Sequence, residues 1–314
     1  MSASKPNAQE WTSTGLSVAN HAPGGEVFAQ TPWDAFTPDT LGPAALVPTM
    51  LNIKEQSFYV WLCREWAKGG GAIVDLGSFA GGSAACLAEG VAQARRAQVV
   101  AGYDKFGLQD YPGFKDRCAK YWAVPPASES RFDPPQMPET AENDLLPLAE
   151  LFLKPWGDGV LLKKCQIEEV TWEGGPIEVL VMDASKTAAT TDRMSATFFP
   201  HLIPGRSIVV QQDLLWWQQP WIAAQMVLLS EYFVPVAYVP RYSVSFLCIK
   251  TPPADVMDGL RVADMRDGEI IAAIREAKGQ LAAFDIERPL RRLIKTVRAN
   301  PGERRAYKME KPAK

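Results

Sequence analysis

The chain has 314 residues, 47% of them hydrophobic and 22% charged, with a formal net charge of -3. That composition is ordinary for a soluble globular protein, and the length suffices for a large α/β domain with additions. The near-neutral balance supplies no global field for nucleic acid or an anionic membrane, and no uninterrupted apolar run nears the ~20 residues a membrane helix needs.

The opening residues, MSASKPNAQEWTSTG, lack the apolar segment of a signal peptide. Residues 1–45 are rich in Pro, Gly, Ser and Thr and have weak periodicity, which predicts a flexible N-terminal arm. Over 52–68, Ile53, Phe58, Trp61, Leu62 and Trp66 recur at roughly helical spacing, and GGG at 69–71 stops the helix they predict. A short apolar strand follows at 72–76. Then come a glycine turn, an Ala-rich helix at 83–95 and a second buried strand at 98–103 that ends at Asp104. This is the size of one βαβ unit. The turn signals YPGF, VPPASES and DPPQMPE make 105–160 a loop-rich insertion, with short helices expected near 115–121 and 145–153.

Regular alternation resumes with strands at 159–163 and 177–182, a helix at 191–202 closed by IPG, a strand at 207–210 and a helix at 220–232. Strands at 233–239 and 243–249, joined by a short Pro-Arg-Tyr turn, read as an antiparallel hairpin. Alternating strands and helices imply a mostly parallel sheet covered on both faces, made mixed by the terminal antiparallel strand. From Val262 onward the chain reads as helical. From Arg288 it carries ten Lys or Arg against two Glu. A solvated helix with a frayed end is the plainer reading of that tail, and a nucleic-acid or partner patch is the alternative. The expected division is an arm at 1–45, a central domain at 46–255 containing the insertion, and a helical basic tail at 256–314. The five cysteines, Cys63, Cys86, Cys118, Cys165 and Cys248, form no CxxC pair. Reduced thiols and a cytoplasmic location are therefore expected, rather than a zinc site or a disulfide framework.

The glycine turn carries the most chemistry. A strand-to-helix turn presents free backbone N–H groups and the positive end of a helix dipole, and small residues let a ligand approach closely. Here the order is Asp75-Leu-Gly77-Ser78-Phe79-Ala-Gly81-Gly82-Ser83. Phe79 stands where a dinucleotide fingerprint places its second glycine, and no Gly-Lys-Ser/Thr follows for a P-loop. The turn instead resembles motif I of the class I S-adenosylmethionine-dependent methyltransferases, an acid followed by a G-x-G/x-x-G pattern. The resemblance covers roughly residues 72–250. It implies a Rossmann-like fold with a seven-stranded mixed sheet, helices on both faces, and an extra N-terminal helix and C-terminal helical tail. It also implies that Asp75, Gly77, Ser78, Phe79, Gly81, Gly82 and Ser83 surround the amino-acid end of S-adenosylmethionine. Asp104 would hold the ribose hydroxyls, Gln166 would flank the adenine, and Asp183 would border the cofactor. For Asp104 alone a solvated acid, and for Gln166 an ordinary strand-end glutamine, remain open.

Chemistry is expected at the ends of the fourth and fifth strands. Asp183-Ala-Ser-Lys186 has the D-x-x-K spacing of the catechol and caffeoyl-coenzyme A type O-methyltransferases. By that resemblance Asp183 is a magnesium ligand and Lys186 the base. Where that family has an acid and an amide on the metal, this chain has Gln211-Gln212-Asp213, and only one of two registers keeps Asp213 as a ligand. A divalent metal on Asp183 and Asp213 and a metal-free site with Asp213 or Asp183 as base both stay open. His21 lies in the arm and His201 at a helix end, so neither is a candidate base. The run LLWWQQPW at 214–221, with Tyr238 and Tyr242, walls an acceptor pocket or simply packs.

The resulting expectation is an S-adenosylmethionine-dependent methyltransferase acting on an oxygen of a small molecule. No membrane or nucleic-acid partner is expected, and homo-oligomerisation is left open. A nicotinamide-dependent oxidoreductase and a non-catalytic cofactor-binding partner subunit are the rivals.

Overall fold

The computed structural model describes residues 24–107 and 144–312. The chain divides into two compact units, Pro32–Asp183 and Met1–Thr31 with Ala184–Lys314. Strands β1 (Ala72–Leu76), β2 (Val100–Asp104), β3 (Val160–Lys164) and β4 (Ile177–Met182) belong to the first. Strands β5 (Ile208–Gln211), β6 (Phe233–Val239) and β7 (Ser243–Cys248) belong to the second. The sheet order is β3-β2-β1-β4-β5-β7-β6. The β1–β2, β1–β4 and β2–β3 pairings are parallel, while β7 runs antiparallel to both β5 and β6. With helices on both faces, this is the Rossmann-like class I methyltransferase fold expected from the sequence.

In the first unit, helix α1 (Ile53–Trp61) begins at a capping box. Asn52 Oδ1 accepts from the N–H groups of Lys54 and Glu55, and Glu55 Oε2 accepts back from the Asn52 N–H. Its periodicity is only partly that of a buried face, because Ile53 is exposed while Phe58, Trp61 and Leu62 are in the core. Trp33 packs edge-on against Phe58 at 4.7 Å and lies 5.1 Å from Trp61. The expected flexible arm therefore changes character within its length. Pro32–Ala35 and Pro38–Leu46 form 3-10 segments that bury Trp33 and Leu41, and Gly25–Gln30, in the second unit, forms another that buries Phe28. The anchoring comes from single aromatic side chains, each hiding up to ~200 Å² of surface, and not from a repeating stripe that a periodicity argument can see.

Helix α2 (Gly82–Gln93) follows the glycine turn, and α3 (Leu146–Leu153) precedes β3. The helix expected near 115–121, most of the insertion, His21 and Cys118 lie outside the described residues. Glu178 in β4 is buried, and its carboxylate accepts from the N–H groups of Lys68, Gly69 and Gly70 and from Gln98 Nε2. The GGG stop is thus held to the sheet by a buried acid with four donors.

In the second unit, helix α4 (Ala188–Phe198) starts three residues earlier than its apolar pattern suggests. Thr187 Oγ1 caps it by accepting from the Thr190 N–H at 3.0 Å. Helices α5 (Pro220–Leu228), α6 (Ala254–Gly259), α7 (Asp267–Gln280) and α8 (Glu287–Ala299) complete this unit. Asp192 on α4 accepts from the N–H groups of Val262 and Ala263 and from Gln225 Nε2, which ties the tail to α4 and α5. The tail is not frayed over its described length. Asn300 exchanges two hydrogen bonds with Glu310, and Ala306 and Met309 are buried. No helix among the described residues is long and apolar enough to cross a membrane.

Candidate cofactor turn and acceptor-side cluster

The turn after β1 is built around a buried carboxylate. Asp75 is fully buried, and its Oδ2 accepts from Ser78 Oγ at 2.8 Å and Ser83 Oγ at 2.7 Å. No described residue donates to Oδ1. Burial pushes the Asp75 carboxyl up to about 6, and the Ser83 and Ser78 hydroxyls partly offset this. Ser78 reaches its place because β2 has a glycine at position 102, where a Cβ would lie 2.6 Å from Ser78 Oγ. The turn then closes through Gly81, whose φ of 91° is a left-handed conformation that favours glycine, and whose N–H donates to the Ser78 carbonyl at 2.8 Å. From there α2 begins, and its first-turn N–H groups have no acceptor within the helix.

Asp104 sits at the end of β2, as the sequence placed it, and it serves the turn as well. Its Oδ2 accepts from the Phe79 N–H at 2.9 Å and its Oδ1 from the Phe106 N–H at 2.6 Å. Both phenylalanines have positive φ, 51° and 49°. The carboxylate therefore braces two strained backbone positions and keeps lone pairs for further donors. Phe79 is itself buried. Gln166 follows β3 and is exposed. Asp183 follows β4, half-buried, with its N–H donating to the Leu76 carbonyl at 2.8 Å.

Tyr59, which no motif in the sequence singles out, lies fully buried on α1. Its phenol is held well above its ordinary range, first by burial and then by the charges of Asp183 and Asp75. The first unit thus gathers Asp75, Asp104, Asp183 and Tyr59 at or near the carboxyl ends of β1, β2 and β4. The spacing of aromatic residues in α1 could have singled out Tyr59 only as one more ring.

In the second unit the expected Lys186 and Asp213 meet. Lys186 Nζ lies 2.7 Å from Asp213 Oδ2. Gln219 Nε2 donates to the same oxygen at 2.7 Å, and no described residue donates to Asp213 Oδ1. Gln219 is 1% exposed, and a carboxylate can only accept, so the orientation of its amide is fixed. No motif singles out Gln219 on chemical grounds. Its one signal is position, directly before Pro220 at the start of α5. Of the other fifth-strand candidates, Gln211 is the last residue of β5 and its Nε2 contacts Met226 Sδ, while Gln212 is buried beside it.

The C-terminal segment pins this cluster. The Ala306 N–H donates to the Lys186 carbonyl at 2.8 Å, and Gln218 Nε2 donates to the Ala306 carbonyl at 2.8 Å. The Ala188 N–H bonds the Arg304 carbonyl at 2.9 Å. Trp216 packs edge-on against Tyr242 at 4.7 Å, and Arg292 of α8 lies over Trp217 at 5.5 Å. Of the expected aromatic wall, Trp216 and Tyr242 touch, whereas Tyr238 meets Phe284 at 6.4 Å.

Two groups were weighed against these side chains. The turn suits the amino-acid and ribose parts of S-adenosylmethionine: it offers helix N–H groups, small residues, a braced strand-end acid and an orphaned buried carboxylate oxygen. A divalent ion is poorly served at the end of β5. Hard cations take charged oxygens, but Gln212 is an amide, and the Asp213 oxygen in use already carries an ammonium and an amide N–H. Among the described residues no cluster of three or more His, Cys, Asp or Glu could hold a metal.

No family model matches the sequence, and no curated protein matches it. Among solved structures the chain is similar to CalS11, a TDP-rhamnose 3'-O-methyltransferase of calicheamicin biosynthesis. The identity is 15%, the match covers 79% of this chain and 96% of that one, and the TM-score is 0.40. It is also similar to the SAH-bound Podospora anserina methyltransferase PaMTH1, at 13% identity, 80% and 100% coverage and a TM-score of 0.36. A cyclopropane-fatty-acyl-phospholipid synthase-like protein from Lactobacillus casei matches at 14% identity, 86% and 97% coverage and a TM-score of 0.32. The fold assignment stands on the strand order itself.

Proposed function

We propose that this chain is an S-adenosylmethionine-dependent methyltransferase that methylates a hydroxyl group of a small molecule. The observation that carries the reading is the braced turn: one buried acid, Asp75, fixes both serines of the glycine turn, and a second, Asp104, ties that turn to the end of β2. The α2 N-terminus with Gly77, Gly81 and Gly82 would hold the amino-acid end of the cofactor, Asp104 the ribose, and Gln166 the adenine edge. Bound there, the cofactor supplies an electrophilic methyl group.

On the acceptor side the base is Asp213. Lys186 Nζ is committed as a donor to Oδ2, so the lone pairs open to a substrate proton belong to the carboxylate, at Oδ1. Lys186 and Gln219 hold that carboxylate in one orientation, and Asp183 borders the cofactor. This departs from the D-x-x-K resemblance, in which the lysine is the base and the aspartate a metal ligand. No step is routed through a metal.

Calorimetric titration with S-adenosylhomocysteine and with NADH tests the first part. Binding of the former and not the latter is expected, and the reverse favours an oxidoreductase. Transfer of labelled methyl to a panel of small hydroxylated aromatics tests the second part. Tight cofactor binding with no transfer to any acceptor would leave only a cofactor-binding partner protein.

A further inference from the structure

Helix α8 displays charge in an unusual arrangement. Its apolar side chains Leu290, Leu293, Ile294 and Val297 are all buried. Its outer face carries Arg288, Arg291, Lys295 and Arg298, all exposed. At 100° per residue these four fall within an arc of roughly 80°, and they span about 15 Å along the axis. They form one straight row of cations. Solvated helix faces usually intersperse signs, because like charges three and four residues apart destabilise the helix. Here the only carboxylate on the helix is Glu287, which takes Arg291 at 2.7 Å and Lys278 at 3.5 Å. Among the described residues Arg288, Lys295 and Arg298 have no ion pair. The chain as a whole is acidic, at -3, so the row is a local reversal of sign.

We infer that the outer face of α8 is a docking surface for an acidic α-helix of a partner protein, independent of the methyltransferase reading. The spacing argues for a helix. Cations at steps of three, four and three residues are met all at once by carboxylates repeating at the same steps on a second straight helix. A lipid surface is disfavoured because the large apolar residues of α8, Leu290, Leu293, Ile294 and Val297, are all turned inward and none is left to insert. Single-stranded nucleic acid is disfavoured because no aromatic side chain stands in the row to stack a base, and duplex DNA, whose phosphates a row of cations can also meet, is separated by the test.

The test uses the full chain and two synthetic helical peptides of identical composition. One carries glutamates at steps of three, four and three residues, and the other has them scattered around the helix. Binding is read by fluorescence anisotropy at low ionic strength, alongside a random-sequence DNA duplex and phosphatidylserine vesicles. The aligned peptide is expected to bind at least about tenfold more tightly than the scattered one, and to lose affinity as salt rises. Arg288→Glu with Arg298→Glu should abolish the preference. Arg288→Gln with Arg298→Gln, which removes the charges without reversing them, should weaken it about tenfold, with S-adenosylhomocysteine binding and circular dichroism unchanged. Equal affinity for the two peptides, no binding to either, or tighter binding to DNA or vesicles overturns the inference.

Discussion

Replacing Asp75 with asparagine should abolish a loss of stability that the wild type suffers as pH rises, although the residue lies at the heart of the candidate site. Its carboxyl is fully buried and raised from an ordinary 3.8 to about 6. The native state therefore binds more protons than the unfolded state between these two values. By linkage, stability falls as pH climbs through that window and levels off above it. The window spans roughly two pH units, and at 1.36 kcal/mol per unit the ionised side chain costs ~3 kcal/mol at pH 7. Asparagine carries no charge and its amide oxygen can still accept from Ser78 and Ser83, while its amide N–H2 falls where Oδ1 has no partner, a cost that does not vary with pH. The measurement is a set of urea unfolding curves for both proteins from about pH 4 to pH 8. The wild type should lose ~3 kcal/mol relative to Asp75→Asn across the acid limb, with the difference constant only from about pH 7.5 upward. Parallel pH profiles would refute the claim that Asp75 is ionised at a cost in the folded chain.

Asp104→Ala should weaken S-adenosylhomocysteine binding by ~1.5–3 kcal/mol, the range for a lost charge-assisted hydrogen bond, and lower the melting temperature because the Phe79 and Phe106 N–H groups lose their acceptor. Unchanged affinity by calorimetry removes Asp104 from the site. Gln219→Met keeps the volume but deletes one of the two donors on Asp213 Oδ2, so kcat should fall about tenfold with cofactor affinity intact; an unaltered kcat means Gln219 does not position the base. A chain ending at residue 303 lacks the Ala306 bonds to Lys186 and Gln218, and should raise the KM for the acceptor at least about tenfold while still binding S-adenosylhomocysteine; an unshifted KM assigns the segment to stability alone. Prolonged treatment with a chelator should leave turnover intact, and loss of activity that magnesium restores would reinstate a metal on Asp213.

The layers of the fold were legible because strands such as 72–76 and 177–182 are short, apolar and bounded by glycine or charge. The glycine turn was legible as a motif, and Asp104 followed from its place at a strand end. What the sequence could not convey was the use to which polar groups are put. Ser78 and Ser83 looked like ligand contacts, and both hydroxyls turn back onto Asp75. Lys186 was singled out by its spacing to Asp183, and its ammonium lies against Asp213, 27 residues further along the chain. Gln219 had no motif at all. Such pairings depend on which loops fold beside one another, and no local pattern encodes that. The early turns around Trp33 and the docked C-terminus escaped for a related reason, since a single anchoring side chain leaves no period to detect.

The segment from Arg304 to Met309 has a consequence for how the protein is made. The bonds that hold the Lys186 and Gln218 loops come from residues translated well after both loops. The unit spanning Pro32–Asp183, with its glycine turn, is synthesised entirely beforehand. A nascent chain on the ribosome can therefore complete its glycine turn while the Lys186 and Gln218 loops still lack their clasp, and a message truncated before Arg304 would yield a protein whose first unit is whole and whose Lys186 loop is unclasped.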